Sequence, residues 1–371
     1  MSIEMADEQR SVLITEHLEK STLRQKTGYA SDWIECQLSH IDDMCHNDTQ
    51  HATNSALGRI IYGSASERPR IEEGVPTLYL KMYNEAYAGF TETWFSTCGE
   101  VISGSINNLV YAYNDEFLFC SGFIQASGQY AEATFSAYND AFKLINELNF
   151  PKIFRMWNFI PGINSNNQAG LEVYRDFCCG RAEAFELSYA ANWGMPAATG
   201  IGTLGNDICF YFVACRESSM THIENSRQMP AYQYPLRYGP KSPSFARATN
   251  LSAKKPDFPC STFFVSGTAS ILDHETVHAG DIDKQCEVTL SNIAYLLSAE
   301  NLNAQGIFNN YTLHDIDQIK VYYRHAKDLS AIARICQKEF HPDASIHYMQ
   351  VDICRSDLLV EIEGIVVNRN Q

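Results

Sequence analysis

Ile353-Cys354-Arg355-Ser356-Asp357-Leu358-Leu359-Val360-Glu361-Ile362-Glu363-Gly364-Ile365-Val366-Val367, near the C-terminal end, is the stretch whose reading decides the fold. From Leu359 onward apolar residues alternate with others, which predicts a strand. Side chains on a strand repeat every second residue, so Glu361 and Glu363 share one face. A carboxylate between Val360 and Ile362, inside a core-like run, is either a solvated edge residue or a placed acid. Glu361 reads here as the placed acid.

Working outward, the pattern that leads to this strand occurs twice. In the first half, strands are expected at 77–83, 94–97, 108–113 and 117–124. A helix over 129–145, a strand over 152–160, a helix over 169–186 and a strand over 208–215 follow. In the second half the order is a strand at 262–267, a helix over 283–300, a strand over 319–323, a helix over 329–340 and the Glu361 strand. The shared order argues for an α+β protein of two units, each a mixed sheet with helices on one face. The expected division is an extension over 1–70, a unit over 71–218 and a unit over 219–371. The Pro-rich join from Ser218 to Cys260 reads as a stiff, irregular link.

The 371 residues suffice for two cores. A net charge of −16 argues against binding nucleic acid or an anionic membrane. The first residues lack a basic region followed by an apolar one, and no 18-residue apolar run occurs, so a cytoplasmic protein without a membrane span is expected. Its 12 cysteines are then expected as thiols.

Two motifs need testing against their mechanics. Gly200-Ile201-Gly202-Thr203-Leu204-Gly205 fits the dinucleotide fingerprint, but a strand is expected next instead of the required helix. It reads as a Gly-rich hairpin or loop. His274-Glu275-Thr276-Val277-His278 fits the zinc-protease pattern, with Glu300 as a distant third ligand. That pattern needs a continuous helix, and Gly280 follows closely. A zinc metalloprotease is carried as a second reading.

Basic and aromatic residues cluster in Pro/Gly-framed segments: Phe154–Asn164, Tyr174-Arg175 with Gly180-Arg181, and Tyr232–Arg247. Arginine forks grip carboxylates in two places, and tyrosine adds a hydroxyl donor. Such a density in an acidic chain suggests a pocket for a small anion.

At these residues the sequence resembles the bacterial chorismatases. The likeness runs through 155–164, Pro196–Gly202, Tyr234–Ala248, Ser266–Ile271, His274–Asp281 and the Cys354–Gly364 stretch, over about residues 75–371. It implies two units of the YjgF/RidA (chorismate-mutase-like) fold, no cofactor and no metal, and conversion of chorismate with loss of pyruvate. It implies Glu361 as the acid that protonates the enolpyruvyl group. Gly267 and Cys354 match the subgroup that makes 3-hydroxybenzoate and are expected to determine the product. Arg155, Arg181, Tyr234, Arg237, Tyr238 and Arg247 are the candidates for substrate binding. Hydrolysis to a dihydroxycyclohexadiene carboxylate, or release of 4-hydroxybenzoate as well, are the alternatives within the family. RidA deaminases carry an arginine about fifteen residues before the glutamate. Ile346 stands there, so imine deamination is not expected. A non-catalytic RidA-like module that holds a small acid is the remaining alternative. The assembly is expected to be a monomer or a trimer.

Overall fold

The computed structural model describes residues 33–41, 55–82, 89–253 and 260–369. Residues 1–32 of the expected extension lie outside the described residues. So do residues 42–54, and the described parts of that extension form strands. Strands β1 (Ile34–His40), β2 (Ala56–Gly63) and β3 (Glu67–Glu72) join β4 (Val75–Lys81) and β5 (Phe90–Ser96) in a five-stranded sheet, ordered β1-β5-β2-β4-β3. The strand signal is weak here for a physical reason. The edge strand β3 carries Glu67, Arg68, Arg70 and Glu72, and charges on an edge blunt further pairing.

The first unit comprises β6 (Ile102–Ile106), β7 (Leu109–Tyr113), β8 (Phe117–Ile124), helix α1 (Ala131–Glu147), β9 (Lys152–Pro161), helix α2 (Val173–Ser188), β10 (Ala197–Thr203) and β11 (Ile208–Cys215). The second comprises β12 (Ser219–Ile223), β13 (Ala248–Ser252), β14 (Cys260–Ala269), a small hairpin of β15 (Ile271–Leu272) and β16 (Glu275–Thr276), helix α3 (Ile282–Leu297), β17 (Gln318–Tyr323), helix α4 (Leu329–Glu339), β18 (Ser345–Gln350) and β19 (Val360–Arg369). The six-stranded sheets run β10-β9-β11-β8-β7-β6 and β12-β13-β14-β19-β17-β18. Numbered within each unit these are the same order, with the same parallel pair at one edge (β9–β10 and β17–β18). The expected duplication and α+β class are therefore present.

Two expectations need correction. The join is not one long irregular link, since it contains β12 near its start and β13 after an irregular stretch, and residues 254–259 of it lie outside the described residues. The Gly200 segment is not simply a loop. Ala197–Thr203 is an edge strand parallel to β9, and a short turn leads from it into β11 without a helix.

Helices cover the outer face of each six-stranded sheet. In α3, Cys286, Leu290, Ile293 and Leu297 repeat at helical spacing and pack on Phe263, Val265, Val321 and Ile362. Asp281 caps that helix by accepting from the Lys284 amide at 3.1 Å. The opposite faces of both sheets meet the five-stranded sheet in a central core containing Leu57, Ile60, Trp94, Trp157, Tyr211, Phe264 and Ile365. Alternation along β19 sends Val360, Ile362 and Val366 to the helices, and Glu361, Glu363 and Ile365 toward this centre.

A charge network lies in the centre. Lys320 on β17 pairs with Glu92 on β5 at 2.5 Å and with Glu363 on β19 at 3.0 Å. Glu92 also accepts from the Tyr62 hydroxyl at 3.0 Å, the Tyr211 hydroxyl at 2.8 Å and Trp94 Nε1 at 2.8 Å. Burial opposes the Lys320 charge, but Glu363 and Glu92 outweigh it and raise its pKa. Replacing Lys320 with Met would leave two buried carboxylates without their shared cation. Lys320→Met is expected to lose about 3–5 kcal/mol of stability, read as a lower urea midpoint with an unchanged slope.

Candidate active site

Glu361 is the second residue of β19, opposite Ala269. The β14–β19 register slips between Val265 and Thr268, so Ser266 and Gly267 bulge out of the ladder beside it. A Cβ on Gly267 would lie 2.0 Å from Glu361 Oε1 and 3.1 Å from Thr199 Oγ1. Only a residue without a side chain leaves the carboxyl where it is. On the other side, the Cys354 thiol faces Glu361 Oε2 at 3.8 Å. The expected acid and the two residues expected to determine the product are thus brought together.

Glu361 is 4% exposed. Burial, and then the neighbouring Glu363 charge, push its pKa up to about 8, against the pull of Arg155. At neutral pH it is a carboxylic acid. Burial and the Glu361 charge also raise the Cys354 thiol well above its ordinary value, so it stays protonated and is a weak donor instead of a nucleophile.

Glu363 has the opposite fate. Burial works against its charge, but Lys320 and Arg155 prevail, with Thr199 and Trp157 adding hydrogen bonds, and its pKa is lowered. Arg155 Nη2 donates to Glu363 Oε2 at 2.9 Å and to Thr199 Oγ1 at 2.6 Å. Trp157 Nε1 donates to Glu363 Oε1 at 2.8 Å. Thr199 Oγ1 accepts from the Gly267 amide at 3.0 Å and its hydroxyl donates a hydrogen bond to Glu363 Oε2. The Gly267 bulge is therefore fastened to β10 of the other unit.

The remaining candidates divide. Arg247 donates to the Tyr234 hydroxyl at 2.8 Å and to the Met229 carbonyl at 2.8 Å, and its Nε is buried without a hydrogen-bond partner. Tyr238 lies against Tyr234, with ring centroids 5.6 Å apart, and its hydroxyl meets His274 Nδ1 at 3.2 Å. Arg237 is exposed, and it donates to Glu275 at 2.7 Å and to His274 Nδ1 at 2.8 Å. Arg155 is committed internally to Glu363. Arg181 lies over the Tyr138 and Phe185 rings and donates to the Ser244 carbonyl and, at 3.4 Å, to Met156 Sδ. It props the segment that leads into Arg247.

The zinc reading fails on local geometry. Glu275-Thr276 is a strand, Leu272 pairs with Glu275, and His278 has φ of +56°, so no helix presents His274 and His278 to one ion.

Three contributors were not anticipated. Thr199 was hidden in the Gly-rich segment. Arg355 sits one residue from Cys354. Arg324 organises the loop before β19: its guanidinium donates to the carbonyls of Leu358 at 2.9 Å, Arg355 at 2.8 Å and Ile353 at 3.2 Å, and to Asn164 Oδ1 at 3.1 Å. Gln285 secures the same loop, donating to the Asp357 carbonyl at 2.9 Å and accepting from the Leu359 amide at 2.8 Å. Nothing in the sequence marks Arg324, because its partners are mostly main-chain carbonyls.

Known proteins resemble this chain over most of its length. The family model described as chorismatase FkbO/Hyg5-like, N-terminal, matches residues 92–214. A 3-hydroxybenzoate synthase of Streptomyces hygroscopicus is 48% identical over 311 residues, 84% of this chain and 91% of that protein. The chain belongs to the chorismatase family. A second chorismatase, from Streptomyces rapamycinicus, is 42% identical over 310 residues, 84% of this chain and 92% of its own length. A crystal structure of a chorismatase superposes with a TM-score of 0.83 at 37% identity, covering 91% of this chain and all of that one. Among the described residues of this chorismatase, no helix is long and apolar enough to cross a membrane.

The raised pKa has a stability consequence. Glu361 holds its proton more tightly in the folded chain than at the ordinary value of 4.5. Its contribution is fully present below that value and is lost as the pH rises through about 8. Glu361→Gln cannot titrate. Its urea midpoint is expected to gain on that of the unmodified chain between about pH 5 and about pH 8.5. A constant difference across that range would show that Glu361 is an ordinary carboxylate.

Proposed function

We propose that this enzyme converts chorismate to 3-hydroxybenzoate and pyruvate, with Glu361 as the general acid. The observation that carries the reading is the contact of buried, protonated Glu361 with Gly267 and Cys354. The names and extent of the similar proteins support the same substrate.

Chorismate carries an enolpyruvyl ether, and its methylene carbon is the basic carbon of an enol ether. The Cys354 thiol faces Oε2, so the proton of Glu361 belongs on Oε1, which lies beside Gly267. Transfer of that proton to the methylene places positive charge on the ether carbon. The bond from the ether oxygen to the ring then breaks, and the electron pair leaves with pyruvate. The neighbouring ring hydroxyl closes onto the vacated ring carbon and returns its proton to the Glu361 carboxylate. The resulting arene oxide opens to 3-hydroxybenzoate. Atoms balance without water. Of the alternatives named above, the dihydroxycyclohexadiene carboxylate needs one water per turnover, whereas 4-hydroxybenzoate, like 3-hydroxybenzoate, needs none.

Glu363 does not act as the acid, because Lys320 and Arg155 hold it ionised. Its charge disfavours ionisation of Glu361, which keeps the proton available. Arg247, with Tyr234 and Tyr238 beside it, binds a carboxylate of the substrate. The reading places the enzyme in the cytoplasm. Its three sheets close on one another within one chain, which supports a monomer, and sedimentation at the mass of three chains would overturn that part.

The purified enzyme with chorismate is expected to release equal amounts of pyruvate and 3-hydroxybenzoate, followed by chromatography. Absence of pyruvate would favour the binding module. Glu361→Gln is expected to lower kcat/KM by about a hundredfold or more. For the unmodified enzyme, kcat/KM should be flat below about pH 8 and fall as the pH rises further, because the acid form is lost.

Gly267→Ala tests product control. The added methyl forces the Glu361 carboxyl aside, and displacements of about 1 Å cost on the order of a hundredfold. The expected result is a slower enzyme that releases a smaller share of 3-hydroxybenzoate. An unchanged rate and product ratio would remove Gly267 from the site.

A further inference from the structure

Arg355 has no part in the steps above, yet its setting is that of an anion receptor. Its Nη1 donates to the His274 carbonyl at 2.9 Å and to Thr276 Oγ1 at 3.3 Å. Its guanidinium carbon lies 4.0 Å from the centre of the Tyr238 ring and 5.1 Å from that of Tyr234. Its Nη2 is buried and has no hydrogen-bond partner among the described residues. No carboxylate pairs with it there either. Glu275 of the adjacent hairpin is taken by Arg237, and Arg247, on the same Tyr234 ring, has Glu224 at 4.0 Å.

A buried donor without an acceptor costs free energy, and a guanidinium without a counter-ion costs more. The arrangement is completed by a flat anion that takes the free donor and lies along the two rings. A carboxylate attached to a six-membered ring has that shape. The loop that carries Arg355 is held by Arg324 and Gln285, so the fork is oriented before any ligand arrives.

We propose that Arg355 is the receptor for the ring carboxylate of chorismate, held in place by the hairpin of the His274–His278 motif. The inference rests on the proposed function and names the part of that site that recognises the ring. It also gives the motif a use. The His274 carbonyl and the Thr276 hydroxyl hold Nη1, Thr276 Oγ1 is also 3.1 Å from Asp357 Oδ1, and His274 Nδ1 engages Tyr238. Segment 274–276 thus serves as a bracket for an arginine.

The test compares Arg355→Gln and Arg355→Lys with the unmodified enzyme. In both variants KM for chorismate is expected to rise about tenfold or more, with a smaller change in kcat. Inhibition by 3-hydroxybenzoate should weaken by a similar factor, and inhibition by pyruvate should not. Lysine keeps the charge and loses the fork, so an Arg355→Lys enzyme with unaltered KM overturns the proposal. So does a loss confined to pyruvate. Should Arg355→Gln not fold, the Lys variant alone decides. Calorimetric binding of 3-hydroxybenzoate and pyruvate separates this inference from the reading beneath it. An unmodified chain that binds 3-hydroxybenzoate through Arg355 but yields no pyruvate from chorismate would sink the proposed reaction and keep the receptor.

Discussion

Glu363 is the carboxylate on which the rest of the structure depends. It is 3% exposed and is held by a lysine, an arginine, a threonine and an indole from two sheets. Through Lys320 it reaches Glu92 on the third. Removing such a charge from water is costly, and only a full set of partners repays it. The partners come from β5, β9, β10 and β17, so the sheets must meet in one register for Glu363 to be stable. The same arrangement sets the chemistry. Two glutamates two residues apart on one strand face cannot both be ionised cheaply in a buried site. One has the cations, and the other keeps its proton.

The duplication shows what is peculiar to the second unit. Position for position along the closing strands, Cys209 stands on β11 where Glu361 stands on β19, and Tyr211 stands where Glu363 does. Trp157 faces Tyr211 across the β9–β11 pair as Lys320 faces Glu363 across β17–β19. The first unit fills these places with stacked rings, Trp157 and Tyr211 lying 4.5 Å apart. The second fills them with an ion pair. The aromatic version contributes a wall to the core, and the charged version contributes an electrostatic field. At this strand position a carboxylic acid of raised pKa therefore stands in the second unit and a thiol in the first, although the order of strands is the same in both.

Much of this was legible in the sequence because periodicity reports burial. Ile208–Cys215 and Phe117–Ile124 are continuous apolar runs, and both are central strands. The strand bearing Glu361 was marked by alternation, whereas Gly267 and Cys354 stood out only through the resemblance to a family, and the structure places both beside Glu361. What was hidden has particular causes. Strands β12 and β13 lie among polar and Pro-rich residues, and β10 is built of Ala, Thr and Gly, so neither gives an apolar signal. Arg155 looked like a ligand for substrate because its partner Glu363 is 208 residues away. Arg324 was silent for the reason already given, that it serves main-chain carbonyls. Sequence pattern shows which residues are buried. It does not show which buried charges are already paired.

That distinction decides how the arginines of the site divide. Arg155 is neutralised by Glu363 and tunes the acid from behind. Arg181 is held by a carbonyl, a thioether and two rings, although its Nε too lacks a hydrogen-bond partner, and it supports the loop. Arg237 is exposed and paired with Glu275. Arg247, with Glu224 at 4.0 Å, and Arg355, without a carboxylate partner among the described residues, flank Tyr234, each with one buried donor that makes no hydrogen bond. A substrate with two carboxylates requires two such cations, placed apart and joined by an apolar surface. The tyrosines between them supply that surface. The acid stands apart from these cations: burial and the Glu363 charge raise the Glu361 pKa, and they prevail over the opposing pull of Arg155 and Arg247.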